Sequence, residues 1–126
     1  MQGPTLSSRR SAAILAAAAL ALLPWAVLLN LILPSRHVAR HWDIAWTGFD
    51  VALACAFLAV AVGVWQERPW LVPVAATAGA MLVCDAWFDI LTADTRTEVI
   101  VAVVLAICAE LPLAALCFWL ALRDRR

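Results

Sequence analysis

Four apolar runs, at about residues 11–33, 43–65, 70–91 and 97–122, occupy nearly all of the 126-residue chain. Each reaches the roughly 20 residues that an α-helix needs to cross a bilayer, where only helices and closed barrels satisfy their backbone groups. The connectors between them are short: Pro34 to His41, Gln66 to Pro69, and Thr92 to Thr97. Pro69 is a natural stop between two helices, and Thr97 is the expected N-cap of the fourth. Composition points the same way, with 66% hydrophobic residues, 14% charged and a mean hydropathy of +0.93. A soluble domain carries roughly 25% charged residues. Disorder, nucleic-acid binding and an ordinary cytosolic enzyme are thereby excluded. The expectation is an all-α polytopic membrane protein: one membrane domain over residues 1–126, four transmembrane helices in an antiparallel bundle.

The first run follows Arg9 and Arg10, as a signal peptide would, but at about 22 residues it exceeds a signal h-region and lacks a clean small-residue cleavage site. It reads as a retained helix. Arginine placement sets the expected orientation. With both termini inside, Arg9, Arg10, Arg68, Arg123, Arg125 and Arg126 are cytoplasmic, against Arg36, Arg40 and Arg96 outside. The chain is therefore expected in the cell membrane, N-in and C-in. Trp25, Trp42, Trp65, Trp70 and Trp119 fall mostly near span ends, where amphipathic rings sit among headgroups.

Carboxylates inside these runs carry the functional signal. Asp50 lies in the second span, Asp85 and Asp89 in the third, and Glu110 near the middle of the fourth. A charged side chain at a helix centre costs roughly 2.5–3.5 kcal/mol, and such residues usually face a bundle interior or wet cavity. Counting along the helices places Asp43, Asp50, Asp85, Asp89 and Asn30 in the outer half, with Glu110 deeper, near the midplane. Asp85 and Asp89 are i,i+4 and share a helix face. Two carboxylates about 6 Å apart repel by roughly 3 kcal/mol at an effective dielectric near 20. Both stay charged only with a cation or an arginine between them, and otherwise at least one is protonated, so the site is expected to bind a cation, protons, or one in exchange for the other. Trp46, Phe49, Trp87 and Phe88 stand at the same level and would shape an aromatic cavity able to hold an organic cation. The plainer readings are a solvated cap for Asp43, a loop arginine partner for Asp89, and helix-to-helix hydrogen bonds for Asp50, Asp85 and Glu110.

His37 and His41 are i,i+4 in the first connector and are weak metal candidates, since no HExxH-type glutamate accompanies them. Cys55, Cys84, Cys108 and Cys117 form no Cys-x-x-Cys pair and read as small apolar residues. No histidine lies within a span to ligate haem, and no cofactor is expected. Ala59-x-x-x-Gly63 and Ala75-x-x-x-Gly79 are small-xxx-small pairs that let helices approach closely, either within the bundle or across a homo-oligomer seam.

The segments Trp42-Asp43-Ile44-Ala45-Trp46-Thr47-Gly48-Phe49-Asp50, Arg68-Pro69-Trp70 and Asp85-Ala86-Trp87-Phe88-Asp89-Ile90-Leu91-Thr92-Ala93 resemble a group of small four-helix membrane proteins of actinobacteria. The resemblance covers about half the chain and implies membrane location and topology; the group has no established activity. The leading expectation is a non-enzymatic protein that binds or transports a small cation or cationic compound with proton coupling, through Asp50, Asp85, Asp89 and Glu110. Its expected partners are the lipid bilayer and a homo-oligomer or larger membrane complex, not nucleic acid. One alternative is a non-catalytic membrane subunit or assembly partner. The other is a membrane-embedded metal-dependent hydrolase using His37, His41 and Asp50.

Overall fold

The computed structural model describes residues 37–123 continuously, together with scattered positions between 13 and 35. It divides into two units, residues 1–40 and 41–126. In the first unit the described positions from 13 to 32 are helical, and Ile14, Leu20, Leu23 and Leu31 are exposed there. Arg9, Arg10, Trp25, Asn30, Arg36, Arg125 and Arg126 lie outside the described residues.

The second unit runs through α1 (Trp42–Trp65), α2 (Leu71–Thr92), α3 (Arg96–Leu105), a π-helical turn (Ala106–Glu110) and α4 (Leu111–Arg123). The last three join into one 28-residue helix, so among the described residues three helices are long and apolar enough to cross a membrane. At 1.5 Å per residue, the 24 residues of α1 extend about 36 Å, beyond a hydrocarbon core of about 30 Å. Among the described residues there is no strand.

The helix ends have local causes. His41 enters α1 in the left-handed region, at φ 54°, a conformation that histidine adopts more readily than most residues. Asp43 then lies in the first turn, where a negative charge meets the helix dipole favourably. α1 ends in a Schellman motif: the Arg68 N–H donates to Gly63 O at 3.0 Å and the Glu67 N–H to Val64 O at 3.4 Å. Glu67 holds the left-handed position, φ 51°, that glycine usually fills. Gly63 is favoured for another reason. A Cβ there would lie 3.0 Å from the Trp70 ring and 3.2 Å from Leu71 Cδ1, in the path of the returning chain. Pro73 falls in the first turn of α2, where its missing N–H leaves no hydrogen bond unmade.

The third helix starts two residues earlier than Thr97 predicted. Thr95 is the N-cap: its hydroxyl accepts from the Glu98 N–H at 3.2 Å, and Glu98 Oε2 accepts from the N–H of Thr95 at 3.2 Å and of Asp94 at 2.8 Å. Thr95-x-x-Glu98 is a capping box, which satisfies helix-end donors reciprocally; Thr97 has no acidic residue three positions on.

α2 is the central helix, packing against α1 and against the helix formed by α3 and α4. Its small residues set the approach. Ala75 and Ala78 are fully buried, and at Gly79 an added Cβ would lie 3.0 Å from the Phe118 ring of α4. Ala114, Cys117 and Ala121 complete that side of the core with Leu71 and Leu82. The Ala75-x-x-x-Gly79 pair thus closes helices of one chain onto each other. Cys117 behaves as the small apolar residue expected, whereas Cys55, Cys84 and Cys108 are exposed. Large apolar side chains line the outside, including Val51, Leu58, Ile100, Val104, Ile107 and Leu122.

Candidate functional site

Asp85 and Asp89 stand one turn apart on α2, and Glu110 closes the π-helical turn on the neighbouring helix. One carboxylate oxygen from each lies within 4.8 Å of the others, and all three residues are half-buried. Glu110 Oε2 is buried without a hydrogen-bond partner. Residue counting along the spans puts Glu110 deeper than the aspartates, yet its carboxyl joins them. A helical side chain points back toward its own N-terminus, and on this helix that direction leads to the C-terminal half of α2, where the aspartates lie.

The π-helical turn has a cause in the chain itself. Pro112 donates no hydrogen bond and its ring crowds the carbonyl four residues earlier, that of Cys108. Immediately before it the Leu111 N–H donates to Ala106 O, five residues back. The extra residue in this turn rotates α4 by about 100° relative to an uninterrupted α-helix. Turns of this kind are frequent at functional sites.

The remaining candidates are more scattered. Asp50 is exposed on α1, outside the three-carboxylate group but within electrostatic range of Asp85 and Asp89. Asp43 is exposed at the start of α1. Trp46 packs edge-to-face between Trp42, at 5.6 Å, and Phe49, at 6.1 Å. Trp87 and Phe88 are exposed, at 64% and 53%. Trp87 is two residues beyond Asp85, or about 200° of helical rotation, which turns it to the other side of α2. His37 and His41 are exposed.

A cleft of about 510 Å³ adjoins the group and shares Asp89 with it. It lies between the first turns of α1 and α3, at the C-terminal end of α2. Trp42, Trp46 and Glu98 line it, and of these Glu98 is not among the residues that the apolar runs single out. The Thr95-x-x-Glu98 pattern is the sequence signal that places it.

Three carboxylates this close are mutually repulsive when charged, by roughly 3–4 kcal/mol per pair at an effective dielectric near 20. Protonation or a nearby cation would relieve that repulsion. Oxygen-only ligands suit hard cations such as Mg²⁺, Ca²⁺ and Mn²⁺. No protein-family model matches the chain, and no curated protein or solved structure matches it.

Proposed function

We propose that the chain is an integral protein of the cell membrane, oriented N-in and C-in, in which Asp85, Asp89 and Glu110 bind a cation in exchange for protons and move it across the bilayer. The apolar exterior supports the membrane reading, because side chains such as Leu58, Ile107 and Leu122 are exposed at 68%, 63% and 63% and need lipid or protein around them. The observation that carries the site is the convergence of three carboxylate oxygens within 4.8 Å, one of them from a glutamate with a buried, unpartnered oxygen. Asp50, exposed on α1 and outside the group, would be a further acidic step. Proteoliposomes test the proposal. An imposed Mn²⁺ gradient should drive opposite proton movement, and Glu110→Gln should abolish it; equal proton movement in that variant and the wild type would refute the assignment.

Asp50 favours one second reading, that of a non-catalytic membrane subunit. An exposed carboxylate at the ninth residue of α1 suits an arginine from another protein or another copy of this chain. Co-purification of a stoichiometric partner, lost in Asp50→Asn, supports that reading. The hydrolase reading gains no such observation among the described residues.

A further inference from the structure

The cleft beside the carboxylate group differs from it in chemistry. Trp42 and Trp46, edge to face at 5.6 Å, contribute two indole rings, and Asp43, Asp89 and Glu98 contribute three carboxylates. Leu105 extends the lining along α3. Among the described residues the lining contains no arginine or histidine. Glu98 is held in place by the N–H groups of Asp94 and Thr95, so its charge is a fixed part of the cleft. A volume of about 510 Å³ falls in the range of small-molecule sites, roughly 300–1,000 Å³.

We propose that this cleft binds an organic cation with an apolar body, such as a quaternary ammonium or phosphonium compound, its charge against Asp89 and its substituents against Trp42 and Trp46. Indole faces attract such cations through the ring quadrupole. The charge pattern selects a net cation over a zwitterionic lipid headgroup, because a phosphate here would meet carboxylates and no lining arginine. The inference rests on the cation reading of the neighbouring group in one respect: Asp89 belongs to both, so an organic cation and a metal ion compete for it.

Equilibrium binding of tetraphenylphosphonium to the full chain in lipid nanodiscs, with empty discs as blank, tests this. Wild-type protein should bind it, and neutral triphenylphosphine oxide should not compete. Trp46→Leu should weaken binding about tenfold while leaving Mn²⁺ binding intact, and Trp42→Leu should do the same if the first variant fails to fold. Glu110→Gln, outside the cleft, should leave tetraphenylphosphonium affinity within threefold while Mn²⁺ binding is lost. No binding, unchanged affinity in both tryptophan variants, or equal competition by the neutral compound would each overturn the proposal. The two readings fail separately: tetraphenylphosphonium bound without Mn²⁺ removes the metal–proton reading alone, and Mn²⁺ bound without tetraphenylphosphonium removes the cleft alone.

Discussion

The two halves of α2 meet their neighbours in opposite ways. Toward its N-terminus, Ala75, Ala78 and Gly79 bring α4 close enough that the Phe118 ring lies 3.0 Å from where a Gly79 Cβ would be. Toward its C-terminus, Asp85 and Asp89 face Glu110, and a cleft opens between α1 and α3. Small side chains close the first half, because they let helix backbones approach to close van der Waals contact. Carboxylates and tryptophan rings line the second. One helix thereby anchors the unit at one end and presents chemistry at the other, and rigid packing in the first half fixes the position of acids that repel one another.

Substitutions that trade one half's character for the other's probe this contrast. The largest effect is expected at the open end: Asp85→Asn or Glu110→Gln should weaken Mn²⁺ binding at least 100-fold, roughly 2.7 kcal/mol, read by equilibrium dialysis in nanodiscs, with thermal stability retained. At the closed end Gly79→Leu should lower stability by about 1–3 kcal/mol through overpacking against Phe118. Thermal unfolding in detergent would show it, and an unchanged transition would contradict the tight α2–α4 approach. Thr95→Ala removes the hydroxyl of the capping box and should cost about 1 kcal/mol in the same assay. The Glu98 carboxylate keeps the backbone N–H groups of Asp94 and Thr95 in that variant, so tetraphenylphosphonium affinity should stay unchanged. The smallest effect is a gain. Glu67→Gly relieves a left-handed residue in the α1–α2 turn and should stabilise by about 0.5–1 kcal/mol, away from both halves.

The three described spans are legible in the sequence because their apolar runs are long and their connectors short. The pairing of Asp85 with Asp89 is legible too, since i,i+4 spacing fixes a common face. Depth along a helix is a poorer guide to Glu110. Counting residues locates a Cα, whereas a glutamate carboxyl reaches back along its helix, and the π-helical turn before Pro112 changes the register locally. Trp87 and Phe88 show the same limit. They share the level of the acids, but level says nothing of face, and both side chains are exposed. Thr97 gives way to Thr95 because a hydroxyl alone is a weaker helix-start signal than a hydroxyl with a glutamate three residues later.

The central claim is that Asp85, Asp89 and Glu110 act as one site, and proton release on cation binding tests it most directly. Purified protein in nanodiscs, weakly buffered and titrated with Mn²⁺ beside a pH-sensitive dye, should release protons in saturable proportion to the ion bound. Lowering the pH should weaken the binding, because protons compete for the same oxygens. Glu110→Gln should lose both binding and release although Asp85 and Asp89 are intact. Mn²⁺ bound equally well by that variant, or bound by the wild type with no proton released at any pH, would contradict the claim.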